Sequence, residues 1–348
     1  MKRILVLGGT GAMGGYLVKY LSTVPDMEVL VTSRSIRQNY GNVKYILGNA
    51  RDPQCMNQLL SGNRYDCIVD FMNYNYEEFE EWHPKLLGAA SHYIFLSSSR
   101  VYANSVEPLT EESPRLLNTT KDKDFLATNR YALRKAREED MLNNSGFKNF
   151  TIIRPYITYS DRRLQLGICE KEDWLYRVLN DKEILFSEGV LDKRTTLTFG
   201  EDVSFGIAQL ILKGKPIGGG IHITTNESIT WGSILALYNS VLQKEVGKSI
   251  HISTSGNIRP LEEIYEGGYN TIYDRQWDRC FCNAKAERMC GHIEYKSISD
   301  GLTECLTAFL NAWKLHGNSL FLPLNEAYHS MSDKMLKDDS IKRTIVII

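Results

Sequence analysis

Residues 1–20 read MKRILVLGGTGAMGGYLVKY, and this stretch decides the fold. The apolar run Ile4 to Leu7 has the length of a buried strand. Gly8, Gly11 and Gly14 follow at intervals of three residues, and the chain beyond them continues with helical spacing. A strand that enters a helix through a glycine-rich turn offers backbone N–H groups at the positive end of the helix dipole. The stretch therefore predicts a binding site for a diphosphate.

Glycine is needed in such a turn because a Cβ would hold the phosphate away or keep the helix from packing on the strand. We therefore predict that a dinucleotide cofactor contacts Gly8, Gly11, Ala12, Met13 and Gly14. Taken alone, the glycine triplet is also compatible with a turn that binds no ligand. Its position between a strand and a helix favours the cofactor.

Strands and helices alternate through the following 130 or so residues. Further strands are predicted at Met27 to Thr32, Val43 to Leu47, Tyr65 to Phe71, His92 to Ser97 and Phe150 to Arg154. The clearest helices are predicted at Pro53 to Leu60, Tyr76 to Ala89 and Asn129 to Leu142. This alternation is typical of an α/β protein in which helices cover both faces of a parallel sheet. We expect a Rossmann-type, doubly wound sheet with a smaller C-terminal substrate-binding part.

The regular alternation fades after about residue 156, which suggests a division of the chain. Residues 1–160 are expected to form the dinucleotide-binding domain, to which a later segment near 195–225 returns. Residues 161–330 are expected to cover mainly the substrate. Residues 331–348 form a tail, for which an edge strand or a disordered end is a simpler expectation than contact with a membrane.

The bulk composition restricts the function. The chain has 41 Lys and Arg against 42 Asp and Glu, a balance that favours neither nucleic acid nor an anionic membrane as a partner. No apolar run approaches the ~20 residues of a membrane span, and a strand that starts at residue 4 argues against a signal peptide. A cytoplasmic location is expected. The seven cysteines lack the paired spacing of a zinc site, so we predict reduced thiols and no metal.

The stretch Tyr131-Ala-Leu-Arg-Lys135 lies in a predicted helix. Positions four apart share a helix face, so the phenol and the ammonium can point into one cleft. A phenol has a pKa of about 10, and a nearby ammonium lowers that value toward the range of a useful acid or base. An ordinary surface tyrosine and lysine are the alternative interpretation of the pair.

Three serines end the fifth strand in the run Ser97-Ser98-Ser99-Arg100-Val101-Tyr102. The carboxyl edge of an open parallel sheet is where such folds bind ligands. A serine at that edge can hydrogen-bond a substrate hydroxyl or carbonyl beside the Tyr131 phenol.

Together these motifs resemble the extended short-chain dehydrogenase/reductases, and most closely the NAD-dependent epimerase/dehydratase group that acts on nucleotide sugars. Other matching stretches are Ile153-Arg154-Pro155, the run RTTLTFGEDV from Arg194, and Cys282-Asn283-Ala284-Lys285. The resemblance covers roughly residues 1–315.

By this resemblance, Ser98 orients the reacting oxygen, Tyr131 transfers its proton and Lys135 holds the nicotinamide ribose. The resemblance also implies that Met72 contacts the cofactor and that Ser98, Ser99, Arg194 and Arg279 contact the substrate. Arg194 matches the arginine that clamps the substrate diphosphate, although a structural salt bridge is nearly as plausible for it.

Three positions depart from the family pattern. Sugar dehydratases of the group carry Asp-Glu directly after the catalytic Ser or Thr, whereas Ser99 and Arg100 stand there in this chain, which disfavours 4,6-dehydration. Ile157 replaces an asparagine that many members carry. The stretch 162–172 fits no motif of the family; its adjacent arginines either reach a phosphate or form a solvated charge cluster.

The second strand is followed by Ser33-Arg34-Ser35-Ile36-Arg37, where an NAD-binding fold usually carries Asp or Glu. A carboxylate would repel the 2′-phosphate of NADP, whereas an arginine can grip it. NADP is therefore the predicted cofactor, bound by Ser33, Arg34 and Arg37, with NAD as the alternative.

The predicted function is reversible hydride transfer at a carbon of a nucleotide-diphosphate sugar, as a 4-epimerase or a keto-sugar reductase. The alternative is a non-catalytic member of the fold that binds a dinucleotide or RNA; the near-zero net charge counts against RNA. The resemblance also implies a homodimer through the helices Tyr76 to Ala89 and Asn129 to Leu142.

Overall fold

A computed structural model describes residues 1–346 of the chain. Its first half contains six strands: β1 (Lys2–Leu7), β2 (Met27–Ser33), β3 (Val43–Leu47), β4 (Tyr65–Asp70), β5 (Ala90–Leu96) and β6 (Phe150–Ile153). Six α-helices lie between or after them: α1 (Ala12–Leu21), α2 (Pro53–Leu60), α3 (Tyr76–Ala89), α4 (Leu116–Thr119), α5 (Lys123–Leu126) and α6 (Tyr131–Asn144). The predicted elements of this half are confirmed to within two residues at most ends.

The second half is built from shorter strands and longer helices. Its strands are β7 (Ile157–Tyr159), β8 (Ile184–Ser187), β9 (Arg194–Thr195), β10 (Leu197–Phe199), β11 (Gly219–Ile221), β12 (Ile229–Thr230), β13 (Ile252–Ser255) and β14 (Thr344–Val346). Its helices are α7 (Trp174–Leu179), α8 (Gly200–Lys213), α9 (Trp231–Val246), α10 (Arg259–Glu262), α11 (Ala284–Cys290), α12 (Ile298–His316) and α13 (Glu326–Leu336).

A seven-stranded sheet in the order β11-β6-β5-β4-β1-β2-β3 forms the framework. All its neighbouring strands run parallel, so their carboxyl ends meet at one edge. The order of connection reverses between β1 and β4, which is the point where ligands bind in doubly wound sheets. The predicted Rossmann-type fold is confirmed.

Apolar side chains pack against both faces of this sheet. On one face, α1, α8 and α11 bury residues such as Leu17, Ile207 and Ala286 against the sheet. On the other face, α2, α3 and α6 contribute residues such as Met56, Trp82 and Leu142. Because both faces are covered, the strands are continuously apolar at their centres rather than alternating. The return of α8 and β11 to this sheet agrees with the segment predicted near 195–225.

The C-terminal half has its own large core around α9 and α12, where Trp174 stacks on Tyr238 with ring centroids 4.7 Å apart. A second sheet in the order β14-β13-β8 joins this part. β14 pairs antiparallel with β13 from Thr344 to Val346, so an edge strand stands in the predicted tail; Ile347 and Ile348 lie outside the described residues. The predicted start of the tail at residue 331 falls inside α13. None of the described helices combines the length and apolar character needed to cross a membrane.

Candidate active site

The turn between β1 and α1 depends on closely packed glycines. Gly8 has φ +71°, a backbone conformation that favours glycine. A Cβ on Gly14 would lie 2.7 Å from the Cα of Gly9. The helix α1 therefore packs against the turn at a distance that only a glycine at position 14 allows. Gly9, which the spacing analysis did not single out, is equally restricted: its Cβ would lie 2.7 Å from Val31 and 2.8 Å from Val6.

The first turn of α1 is open to an anion. Its N-cap residue, Gly11, has no side chain that could cap the helix, and the first turn contains no acidic residue. The N–H groups at this end therefore lack a competing side-chain acceptor, and the helix dipole favours negative charge there. A cradle of this kind, closed to any Cβ at Gly14, fits the diphosphate of a dinucleotide.

A cavity of about 320 Å³ adjoins this turn. Gly11, Ala12 and Arg37 of the predicted cofactor set line it, together with Asp161 and Arg162 from the segment after β7. The Arg37 guanidinium lies 5.9 Å from the centre of the Tyr45 ring.

The remaining predicted cofactor contacts lie close to the same sheet edge. Arg34 is exposed, whereas the buried Ser33 donates its hydroxyl to the carbonyl of Ser35 at 2.7 Å. Met13 contributes a backbone carbonyl that accepts a hydrogen bond from Ser204. Met72 lies beside Gly8, since its sulfur would be 3.3 Å from a Cβ added there.

A second cavity, of about 380 Å³, is the candidate substrate pocket. Ser98 and Tyr131 both line it, so the structure brings together two residues that are 33 positions apart in the chain. The rest of its wall comes mainly from segments after β6 and β13: Tyr156, Ile157, Arg163, Gln165, Ile168, Glu170, Ile264, Tyr265, Glu266, Asn270 and Arg275.

The three serines at the end of β5 have three different environments. Ser97 donates to Glu139 at 2.6 Å, and the fully buried Ser99 donates to the carbonyl of Arg154 at 2.7 Å. Only Ser98 lines the pocket, where its Oγ accepts a hydrogen bond from the N–H of Arg100 at 3.2 Å. The Ser98 proton is thus left to donate to a ligand.

Tyr131 is the first residue of α6, and it lines the pocket together with Ser98. Its backbone N–H donates to Glu266 at 2.9 Å, which ties the start of the helix to the C-terminal half. The guanidinium carbons of Arg100 and Arg134 lie 5.3 and 5.8 Å from the centre of the Tyr131 ring. Two cations therefore flank the phenol.

Lys135 lies one helical turn further on and is buried. Its ammonium is 2.9 Å from the carboxylate of Glu138 and 4.5 Å from the centre of the Phe95 ring. Burial raises the pKa of Glu138, and the charge of Lys135 acts in the opposite direction. A cofactor that binds the Lys135 ammonium would therefore do so next to the Glu138 carboxylate.

A buried ion pair fixes α6 relative to the strand ends. Both oxygens of Glu139 accept hydrogen bonds from Arg154, at 2.8 and 2.7 Å. Arg154 also donates to the Tyr102 hydroxyl at 3.0 Å, and Glu139 accepts from Ser97. Because Arg154 follows β6 and Ser97 follows β5, the helix that carries Tyr131 is held against the strand end that carries Ser98.

Asp70, the last residue of β4, is fully buried at the same edge. It accepts hydrogen bonds from the N–H of Met72 at 2.9 Å and from the Tyr93 hydroxyl at 2.8 Å. Burial raises the pKa of Asp70 to about 6, although both hydrogen bonds act in the opposite direction.

Three predicted substrate contacts are not on the pocket wall. Ser99 is turned toward Arg154, as described above. Arg194 is exposed on the β9–β12 ribbon and donates to the carbonyl of Ser228 at 3.1 Å. Arg279 is buried behind the pocket and donates to Asp274 at 2.8 Å and to backbone carbonyls. These three side chains serve the protein's own structure.

The arginines that do reach the pocket are Arg100, Arg163 and Arg275. In the sequence, Arg100 departs from the dehydratase pattern, and Arg163 belongs to the stretch 162–172 that fits no motif of the family. Arg163 pairs with Glu170 at 3.0 Å on the pocket wall. Arg275 was missed because its segment has no periodic pattern; its abundance of Tyr, Asp and Arg was the only available signal.

Comparisons with known proteins agree with this geometry. Residues 4–218 match the model of the NAD dependent epimerase/dehydratase family. A UDP-N-acetyl-alpha-D-glucosaminuronate decarboxylase from Bacillus cytotoxicus is 22% identical over 339 residues, covering 88% of this chain and 98% of the relative.

Solved structures give the same picture of the fold. An epimerase from Methanothermobacter thermautotrophicus superposes with a TM-score of 0.67 at 15% identity, covering 90% of this chain and 94% of the other. A UDP-glucuronic acid 4-epimerase from Bacillus cereus, solved in complex with NAD, gives 0.66 at 17% identity, covering 90% and 98%. With the family model spanning well over half of its length, the chain belongs to the NAD dependent epimerase/dehydratase family.

Proposed function

We propose that the protein is a nicotinamide-dependent enzyme that transfers hydride reversibly at a carbon of a UDP-sugar, as an epimerase or a reductase. The observation that carries this proposal is that Ser98, at the carboxyl end of β5, and Tyr131, at the start of α6, line one pocket. The names of the relatives support the substrate class: both the curated relative and the epimerase from B. cereus act on UDP-sugars.

The side chains of the site fit the proton transfer that such a reaction needs. A nicotinamide dinucleotide, when bound, accepts and returns the hydride. As the C–H bond of the sugar breaks and its electron pair leaves as hydride, Tyr131 takes the proton of the attached hydroxyl, and a ketone results. The Ser98 hydroxyl donates to the same oxygen. When the hydride is returned to the other face of the ketone, Tyr131 would give the proton back to the oxygen, and the carbon would be inverted.

The cofactor would be held by two groups of residues. The uncapped N–H groups of Ala12 and Met13 at the start of α1 would bind the diphosphate, whereas the Gly11 N–H donates to the Gly8 carbonyl. Lys135 would hold the nicotinamide ribose beside Tyr131, in reach of Glu138.

We further propose NADP rather than NAD. Arg34 is exposed and makes no hydrogen bond or ion pair with other residues in 1–346, so it is free to bind a 2′-phosphate. Arg37 lies at the wall of the cavity beside α1. The Ser33 hydroxyl is engaged by Ser35, so the two arginines rather than the serine support this choice.

A homodimer through α3 and α6 stays a prediction. The exposed side chains of α3 include Glu80, Glu81 and Lys85, and no large apolar side chain is exposed on that helix. A dimer formed there would depend on ion pairs and would weaken with salt. Light scattering at micromolar protein concentration, in low and high salt, measures this.

The test of the proposed function has two steps. The purified protein is denatured and any released dinucleotide identified; NADP or NAD is expected. The refolded or untreated enzyme is then incubated with UDP-glucose, UDP-galactose and their N-acetylated and uronic acid forms, and the sugars are analysed for inversion or oxidation. A protein that neither binds a dinucleotide nor converts a UDP-sugar contradicts the proposal.

A further inference from the structure

We propose that Arg100 binds a carboxylate of the substrate, and that the pocket therefore selects UDP-sugars of the uronic acid type over neutral ones. This inference rests on the proposed function. In the sequence, Arg100 stands out only because dehydratases of the family carry a glutamate at its position.

The Arg100 guanidinium has no hydrogen-bonding partner among residues 1–346. It follows Ser98 and Ser99 at the edge of the sheet and lines the pocket, yet its side chain is only 16% exposed. Its Nε is buried without a hydrogen bond. The nearest carboxylate oxygen, on Asp274, lies 3.8 Å away, which is beyond hydrogen-bonding distance.

Asp274 already accepts hydrogen bonds from three other groups. One of its oxygens accepts from Arg279 at 2.8 Å, and the other accepts from the Tyr156 hydroxyl at 3.1 Å and from Arg275. Asp274 therefore cannot serve as a dedicated counter-ion for Arg100.

Within residues 1–346, the other two carboxylates that face the pocket form no ion pair with Arg100, although the negative charge of Glu266 partly offsets the effect of burial on the Arg100 pKa. Glu170 pairs with Arg163, and Glu266 accepts the backbone N–H of Tyr131. The cluster as a whole contains four guanidinium groups and three carboxylates: Arg100, Arg163, Arg275 and Arg279 against Glu170, Glu266 and Asp274.

This charge excess is costly where the groups are shielded from water: Arg275 and Arg279 are buried, and the Arg100 side chain is only 16% exposed. Burial lowers the pKa of Arg100, of Arg279 and of Arg275, the last to about 10, so the surroundings do not fully compensate the positive charges. An uncompensated buried cation that faces an open pocket favours an anionic ligand group, which restores both the charge balance and the hydrogen bonds.

The position of Arg100 indicates which anionic group. The Arg100 guanidinium carbon lies 5.3 Å from the centre of the Tyr131 ring, and the backbone N–H of Arg100 donates to the Ser98 Oγ. It is therefore at the reacting end of the sugar, whereas the diphosphate is attached to the anomeric carbon on the opposite side of the ring. A carboxylate on the carbon next to the reacting one matches the bidentate geometry of a guanidinium.

Arg134 provides a matched control. Its guanidinium carbon lies 5.8 Å from the same ring centre and its side chain is 17% exposed, close to the values for Arg100. Unlike Arg100, it donates to Asn73 at 2.8 Å and lies 3.6 Å from Glu138. The Nε of Arg134, like that of Arg100, is buried without a hydrogen bond, so the two arginines differ in the partner that the protein gives to a terminal nitrogen of Arg134.

The experiment measures affinities by calorimetry for UDP, UDP-glucose and UDP-glucuronate, with dinucleotide present. The wild type is expected to bind UDP-glucuronate at least about tenfold more tightly than UDP-glucose, as for a charge-assisted hydrogen bond. Arg100→Gln should remove this preference and leave UDP and UDP-glucose unchanged. Arg100→Lys should keep part of it, and Arg134→Gln should keep all of it. Thermal melting verifies that each variant is folded.

Three results would overturn the inference. Equal wild-type affinity for the two sugars refutes it while leaving the proposed function intact. Weaker binding of UDP itself by Arg100→Gln assigns the arginine to the diphosphate instead. Failure of the wild type to bind UDP or any UDP-sugar refutes the proposed function, and the inference with it.

Discussion

Lys135 and Glu138 form an ion pair in which the ammonium and the carboxylate are 2.9 Å apart and neither side chain is more than 2% exposed. Lys135, which is proposed to hold the cofactor ribose, is therefore paired within the protein. Both oxygens of Glu138 lack a hydrogen bond of good geometry, so the pair is held mainly by charge.

Replacing this carboxylate should destabilise the protein in a way that the cofactor repairs. Glu138→Gln leaves a buried ammonium without its counter-ion, and we expect the free energy of unfolding to fall by about 3 kcal/mol. Saturating dinucleotide should raise the melting temperature of the variant more than that of the wild type, because ribose hydroxyls give Lys135 new partners.

The control for this change is another Lys–Glu pair. Lys85 and Glu81 are 3.2 Å apart on α3 and about half exposed, so Glu81→Gln should cost less than about 1 kcal/mol and leave the cofactor response unchanged. Equal responses of the two variants to dinucleotide would separate Lys135 from cofactor binding.

Tyr131→Phe should abolish turnover while cofactor affinity stays nearly constant. The variant loses the group that carries the proton but keeps the glycine turn and Lys135. A loss of several hundredfold in kcat is expected, roughly the contribution of a positioned acid–base group. Steady-state kinetics and dinucleotide titration measure the two effects, and an active variant would exclude the phenol from the reaction.

The adjacent serines give a test in which each residue is the other's control. Ser98→Ala removes the donor that faces the pocket, and kcat should fall by about a hundredfold with little change in melting temperature. Ser99→Ala leaves the Arg154 carbonyl without its buried donor, and should cost about 1 to 2 kcal/mol of stability while kcat is retained. The opposite pattern would reverse the assignment of the two hydroxyls.

The choice of cofactor is tested at the end of β2. Arg34→Asp puts a negative charge where the 2′-phosphate is proposed to bind, so the Kd for NADP(H) should rise by about tenfold or more while that for NAD(H) is unchanged or lower. Calorimetry on the wild type is the reference. If it binds NAD(H) as tightly as NADP(H), the assignment of NADP is wrong.

Asp70 should make stability depend on pH. Its pKa is raised to about 6 in the folded protein, so the folded state holds this proton more tightly than the unfolded chain. The stabilisation is therefore full below the unfolded pKa and is lost as the pH rises through about 6. Between pH 5 and 8 the wild type should lose about 1 to 2 kcal/mol relative to Asp70→Asn in urea unfolding. A constant difference would contradict this.

The sheet was predictable because its information is local. Each of β1 to β6 is a short apolar run bounded by turn residues, and the helices between them carry recognisable ends, such as Asp52 before Pro53 and the reciprocal capping of Asn75 and Glu78. β7, β9, β10 and β12 contain two or three residues, too few to show any period. Only long-range pairing defines them.

The residues of the candidate site also differ in whether the sequence alone could predict their positions. Ser98 and Tyr131 were predictable from motifs within single elements. That Ser99 turns away from the pocket was not predictable, since it depends on the carbonyl of Arg154, which lies far along the chain. The roles predicted for Arg194 and Arg279 came from the family resemblance, and the structure gives those guanidinium groups partners within the protein.

The buried Glu139–Arg154 pair joins α6, which begins at Tyr131, to the end of β6 beside Ser98, whereas much of the pocket wall comes from residues 163–170 and 264–275. Apart from Arg100, the rest of the wall thus comes from stretches of the chain separate from those that carry Ser98 and Tyr131. A lineage that exchanges the later segments can change that part of the pocket without rebuilding the residues proposed to move the proton. Laboratory evolution of substrate range would best concentrate its mutations there.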